Sequence, residues 1–248
     1  MGSLLGGLVL PGYAFSTRGR PTHARVIYGS YFLAATIFIV WLGNLISSAA
    51  LALMISLHVG SVLYLMGHRT SQMSFRWRLV LALAVAFIVY RAIYFPFQLQ
   101  FEKYVAMPLK LANGTLIVDP RHAAGAVRRG DRLAYRIHAA SDAHVFINDG
   151  YGFGEVRAVA GDRIVFTQHN YQVNGVEFPR QPRMPALETW VVPEKHWFIW
   201  PNSAIAVSGN QQQEDSVARL MREVAMVSES QYAGKPYRRW FWRRQPTP

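Results

Sequence analysis

Residues 27–66 form a run of 40 positions without a single Asp, Glu, Lys or Arg. At about 1.5 Å per helical residue, that is roughly twice the length one bilayer crossing needs. The run therefore predicts two membrane-spanning helices, about 28–45 and 46–66, broken near Gly43-Asn44 with no charge at the hairpin tip. The polar segment 67–78 separates them from a third apolar stretch at 79–97. Composition agrees, since 51% hydrophobic and 16% charged residues are too apolar for an ordinary soluble domain. Residues 1–13 are too short to cross and have no basic start, so they read poorly as a signal peptide.

A formal net charge of +12 raises nucleic acid as a partner, and the position of the charge decides against it. Residues 1–97 carry seven Arg and no acid, residues 98–234 carry 14 basic and 14 acidic side chains, and residues 235–248 add five basic ones. A neutral middle with basic, membrane-proximal ends suits the anionic headgroups of a lipid bilayer rather than a nucleic-acid groove. Arg18, Arg20 and Arg25 precede the first span, and Arg69, Arg76 and Arg78 lie between the second and third. The positive-inside rule puts both segments in the cytoplasm. Everything after residue 97 is then expected on the trans side of a bacterial inner membrane, periplasmic or extracellular. Tyr90, Tyr94 and Phe95 suit an interfacial belt there, and Arg91 suits a snorkelling side chain. His58, inside the second span, reads as a packed neutral residue. With no Cys in the chain, disulfides, thiol catalysis and thiolate metal sites are excluded.

Beyond residue 97 the pattern turns to short alternating segments punctuated by Gly, Asn, Asp and Pro, which predicts strands at 115–118, 132–138, 144–147, 157–159, 163–167, 171–176, 189–192, 197–200 and 205–207. One helical insertion interrupts them. Val217, Leu220, Met221 and Val224 fall at i, i+3, i+4 and i+7, with Asp215 as the expected N-cap. The expected architecture is a membrane-anchored all-β protein: an anchor of three transmembrane helices over 1–97, then a β domain over 98–248 with a basic aromatic tail at 235–248.

Chemistry-bearing clusters are sparse. His122, His138, His144, His169 and His196 are scattered without ligand spacing, so neither a metal nor a cofactor is expected. Gly150-Tyr151-Gly152-Phe153-Gly154 lacks a following Lys-Ser/Thr and helix, which leaves a flexible loop or a β-bulge rather than a phosphate cradle. In the tail, Arg238, Arg239, Trp240, Trp242, Arg243 and Arg244 alternate cations with aromatics. That pattern reads either as a membrane-interface clamp or as a closing strand with surface Arg.

An ordered series of short motifs runs from residue 104 to 242. Ala106-Met107-Pro108-Leu109-Lys110-Leu111 comes first, then Arg129-Gly130-Asp131-Arg132-Leu133, then the segment from Gly150 through Glu155-Val156-Arg157 to Gly161-Asp162. Tyr171-Gln172-Val173-Asn174-Gly175 follows, with an Asn-Gly that is a type I′ turn signal. Val192-Pro193-Glu194-Lys195-His196-Trp197-Phe198-Ile199 and Gln231-Tyr232-Ala233-Gly234-Lys235 close the series. In this order the motifs resemble the signal peptidase I superfamily, and within it the conjugative pilin-processing peptidases.

That resemblance implies a signal-peptidase-like β domain and a Ser–Lys catalytic pair, and the residues at the matching positions contradict the chemistry. Ala106 stands where the family's nucleophilic Ser belongs, and Val156, just before Arg157, stands where its general-base Lys belongs. A methyl group attacks no carbonyl and an isopropyl group accepts no proton. The family's last box is also altered, to Trp200-Pro201-Asn202-Ser203. The resemblance thus implies a catalytically inactive protein with vestigial positions Ala106 and Val156, whose groove, carried over at Met107, Pro108, Arg157, Asn202 and Ser203, binds an extended peptide, pilin or partner subunit in a conjugation or envelope-assembly machine. One alternative is an active serine peptidase with a displaced pair drawn from Lys103 or Lys110 and Ser203, Ser208 or Ser216. The other is a structural accessory subunit of a larger membrane complex.

Overall fold

The computed structural model describes residues 6, 10–70, 72–111, 114–142, 145–201 and 211–244. They fall into two compact units, Met1–Ile117 with Arg239–Arg243 and Val118–Arg238 with Arg244–Pro248. Strand residues 107–117 and part of the tail thus belong with the helices.

The first unit is helical. Helices α1 (Tyr13–Thr17), α2 (Pro21–Val40) and α3 (Leu45–Thr70) are followed by α4 (Phe75–Val89), a π-turn (Tyr90–Tyr94) and α5 (Phe95–Tyr104). Three stretches, Pro21–Val40, Leu45–Gly67 and Phe75–Tyr104, are helices long and apolar enough to cross a membrane. The break between the first two falls where the sequence predicts it, at Gly43, whose φ of 80° suits a residue without a Cβ.

The third helix runs past its expected end at residue 97. Pro96 has no amide to donate and its ring crowds the carbonyl four residues back, which normally breaks a helix. Here the Phe95 amide bonds the Tyr90 carbonyl five residues back, and the widened π-turn absorbs the proline. The resulting 30-residue rod is roughly 45 Å long, longer than the about 30 Å that an apolar layer would require.

Ala34, Met54, Val59, Val62, Val85, Val89 and Tyr94 pack the helices together. His58, 1% exposed, is packed in this interface with Nδ1 3.3 Å from the Tyr94 hydroxyl. At one end of the unit, Arg18 donates to the carbonyls of Tyr64 and Leu65 at 2.7 and 2.6 Å, and the Gly12 amide donates to Ser61 Oγ at 2.9 Å. At the other end, the hairpin tip meets β1 (Met107–Leu111) and β2 (Gly114–Asp119). Thr115 Oγ1 donates to the Gly43 carbonyl at 3.1 Å, and a Cβ on Gly43 would lie 2.3 Å from Thr115 Cγ2.

The second unit is mostly β. Its strands are β3 (Arg132–Ile137), β4 (Ala140–Asp142), β5 (Val145–Ile147), β6 (Gly150–Glu155), β7 (Ala158–Val159), β8 (Arg163–Phe166), β9 (Asn170–Val173), β10 (Val176–Pro179), β11 (Thr189–Val191), β12 (His196–Phe198), β13 (Met226–Ser228) and β14 (Tyr232–Pro236), with helix α6 (Gln211–Ala225) before β13. Strand β14 pairs on one side with the end of β2 and on the other with β3, which pairs with β6. Strands β10-β9-β8-β11 form a second sheet and β13-β12-β7 a third. Phe166, Tyr171, Phe198 and Trp200 fill one core with Val217 and Met221 of α6. Leu133, Tyr135, Val156, Trp197, Ile199 and Val227 fill another.

Three further expectations need correction. The stretch 171–176 is no single strand: Asn174 and Gly175, at φ 50° and 84°, turn the chain between β9 and β10 as a type I′ hairpin requires. Asp215 is not the N-cap of the insertion, because residues 211–214 before it are already helical and a run of Gln and Glu favours helix. Val217, Leu220 and Met221 are buried, and Val224 is half-buried.

The third correction concerns Gly150–Glu155, which is a regular strand paired with β3 at all six positions rather than a loop or bulge. A Cβ on Gly152 would lie 2.4 Å from Tyr135 Cζ, and one on Gly154 2.6 Å from Ile199 Cγ2. The glycines therefore pare down the face that bulky neighbours occupy. The expected strand at 205–207 and the start of that at 144 lie outside the described residues. Strands β1, β4, β10, β13 and β14 are additions to the expected set.

Candidate peptide-binding edge

The segment around Val156 is held by two Gly-Asp turns. Gly130 and Gly161 adopt φ of 85° and 84°, and the aspartates that follow them anchor the backbone in different ways. The Val156 amide donates to the Asp131 carbonyl at 2.8 Å while the Val156 carbonyl accepts from the Gly130 amide at 2.8 Å. Asp162 accepts from the Val159 amide at 2.7 Å, from Asn174 Nδ2 at 2.7 Å and from Arg129 at 2.8 Å. Burial alone would raise the Asp162 carboxyl, but these donors outweigh it and hold it below its ordinary value. At Asp131 burial likewise works upward, and the Lys235 ammonium, 2.7 Å away, with the Arg128 amide turns the balance downward.

Val156 itself is fully buried in the core around Tyr135 and Trp197. The Arg157 amide donates to the Phe198 carbonyl at 2.9 Å, and its guanidinium pairs with Glu155 at 2.8 Å. These residues lie in the second unit. Ala106, Met107 and Pro108 lie in the first. Ala106 is fully buried, with its amide on the Phe101 carbonyl at 3.1 Å, and Met107 and Pro108 are half-buried in β1. Asn202, Ser203 and Ser208 fall outside the described residues. Ser216 is buried within α6 and accepts from Arg219 at 3.3 Å. Lys103 and Lys110 are exposed. Among the described residues no three His, Asp or Glu side chains gather in a way that could hold a metal ion.

The feature that sequence reading missed is the outer edge of β6. Along an antiparallel strand the backbone groups of alternate residues face alternate neighbours. Because Val156 turns its amide and carbonyl toward the Asp131 side, Gly154, Gly152 and Gly150 turn theirs toward β3, and Tyr151, Phe153 and Glu155 turn theirs away. Among the described residues no strand pairs with that outer side. Tyr151 is 48% exposed, and the strand carries none of the Pro, Lys or bulge devices that blunt a free edge. Such an edge can accept an extended chain as a further strand. The signal was present in the sequence as the period-2 alternation of Gly with aromatic and acidic residues.

The tail divides its residues. Trp240 is buried and its indole donates to the Ile39 carbonyl at 2.8 Å. Arg243 donates to the Val40 carbonyl at 3.3 Å, and Trp242 meets Trp41 edge-on at 5.5 Å. Arg238, Arg239, Trp242 and Arg244 are exposed. The segment includes the short strands β15 (Arg239–Trp240) and β16 (Arg243–Arg244) on either side of Phe241. Neither a family model nor a curated protein matches this chain.

Proposed function

We propose that the chain is a three-span protein of the bacterial inner membrane whose β domain, on the trans side, holds an extended polypeptide along the outer edge of β6 without cutting it. The observation that carries this reading is the row of outward-facing backbone groups at Tyr151, Phe153 and Glu155, with no strand against them among the described residues. Backbone pairing gives affinity that needs no catalytic side chain, and alternate side chains of the bound strand supply selectivity. The resemblance to signal peptidases adds the substrate class, a membrane-borne segment such as a pilin or a partner subunit of a conjugation or envelope-assembly machine. Ala106 and Val156 at the positions of the family's Ser and Lys favour retention over hydrolysis.

A photocrosslinking residue in place of Tyr151 tests this in intact cells, with the exposed Gln168 as the control position. The expected result is a crosslinked polypeptide at position 151 that is absent at 168 and diminished by Phe153→Pro, which removes one outward amide while leaving those that face β3. Equal crosslinking at both positions would sink the proposal. Labelling of the purified protein by a fluorophosphonate would favour the displaced-pair peptidase instead.

A further inference from the structure

Within the helical unit, where the hairpin tip approaches the end of the third helix, lies a cavity of about 140 Å³. Its polar lining comes from Ser47 and Ser48 of α3 and from Gln98 and Glu102 of α5, and Phe38 and Phe101 add aromatic walls. Glu102 is the first acidic residue of the whole chain, and the next is Asp119. Glu102 is half-buried in the last turn of α5, on the wall of this cavity.

The inventory of donors and acceptors defines what the cavity can hold. Gln98 Nε2 donates to Glu102 Oε1 at 2.9 Å, which leaves Oε2 without a partner among the described residues and the Gln98 carbonyl oxygen free to accept. Ser47 Oγ gives its proton to the Asn44 carbonyl at 2.8 Å, so its lone pairs remain. The cavity therefore presents one carboxylate among uncharged acceptors, with the second Gln98 Nε2 proton and the Ser48 hydroxyl as donors and aromatic rings beside them. Phosphate or another carboxylate would face the negative charge of Glu102 there. A primary ammonium brings a positive charge for Glu102 and three N–H donors for the acceptors at Glu102, Gln98 and Ser47. A trimethylammonium brings the charge without the donors.

We propose that this cavity binds the ammonium group of a small primary amine, the headgroup of phosphatidylethanolamine or free ethanolamine being the two sources. The lipid source rests on the reading of the three helices as membrane spans, whereas the ammonium chemistry does not.

The test uses the full chain purified in detergent and examined by native mass spectrometry with equal amounts of phosphatidylethanolamine, phosphatidylcholine and phosphatidylglycerol, with free ethanolamine as competitor. Phosphatidylethanolamine should be retained about tenfold over the other two, as one charge-assisted hydrogen-bonded contact allows. Free ethanolamine should displace it. Glu102→Gln, which keeps size and the partner at Gln98, should abolish the preference while melting like the wild type in the absence of added amine. Stabilisation by free ethanolamine, lost in Glu102→Gln, without lipid retention would support the ammonium site with a soluble source. Equal retention of phosphatidylethanolamine and phosphatidylcholine, or a preference unchanged in Glu102→Gln, would overturn it, as would a response to Mg²⁺ or Na⁺ alone. Carbonate extraction of membranes checks the spans separately: a chain released by carbonate would refute the membrane reading and leave the ethanolamine arm to decide the cavity.

Discussion

The indole of Trp240 donates to the carbonyl of Ile39 across 201 residues of sequence. The last carbonyls of a helix have no partner within it, and Ile39 and Val40 end α2. Trp240 and Arg243 therefore cap the first candidate span from the far end of the chain.

Trp240→Phe should keep most of the packing and lose the cap. The expected cost is about 1 kcal/mol, read as a melting temperature a few degrees lower for the purified full chain in detergent. Trp240→Ala should cost about 3 kcal/mol or more through the lost ring. Trp242→Ala, at an exposed position, should cost less, about 0.5–1.5 kcal/mol for the lost edge-on contact with Trp41.

Glycine spacing in β6 makes a second, graded prediction. A Cβ at 152 meets Tyr135 at 2.4 Å, whereas one at 150 meets nothing closer than 3.9 Å. Gly152→Ala should destabilise the β unit by about 1–3 kcal/mol through overpacking against a buried phenol ring. Gly150→Ala should be close to neutral. Chemical denaturation of the two variants side by side measures the difference, and equal midpoints would mean that Tyr135 yields freely.

Acid should unfold the β unit through its anchored aspartates. The Arg121 side chain, hydrogen-bonded to Asp119, brings that carboxyl down to about 2 despite its burial, and Asp131 and Asp162 are also held low. A depressed carboxyl stabilises the fold above its unfolded value of about 4 and stops doing so as pH falls through its folded value. Stability should therefore be flat above about pH 5 and fall between about 4 and 2. Asp162→Asn should lower stability at pH 7 and flatten part of that fall, which a series of urea titrations would show.

Topology is open to cysteine labelling because the chain has no native Cys. Ser74→Cys should be protected from a membrane-impermeant maleimide in intact cells, and Glu177→Cys should react. The reverse pattern would invert the assignment made from the Arg-rich segments.

How much of this was legible in the sequence depended on whether a signal was local. The hairpin at Gly43-Asn44 and the turn at Asn174-Gly175 follow from backbone freedom at single glycines, and both stand where the sequence puts them. The third helix outruns the apolar stretch at 79–97 because Gln98, Gln100, Glu102 and Lys103 end the hydrophobic run without ending the helix, and the π-turn that accommodates Pro96 depends on the tertiary setting of Tyr90–Tyr94. The Gly150–Gly154 run was misread because glycine frequency outweighed its period, and the reason for each glycine lies at Tyr135 and Ile199, far along the chain. The cavity beside Glu102 gathers side chains from α2, α3 and α5 that no spacing rule connects.

The chain leaves the helical unit at Ile117 and rejoins it at Arg239, which makes the β unit an insertion fastened at both ends. A segment tethered twice has fewer conformations to gain when it melts, since its ends cannot part. A single proteolytic nick within residues 118–238 would then yield two fragments that still travel together, the second retained through Trp240 and Arg243 on the end of α2. Damage to the β unit would leave both stubs in place, and loss of the last ten residues would convert a closed loop into a free arm.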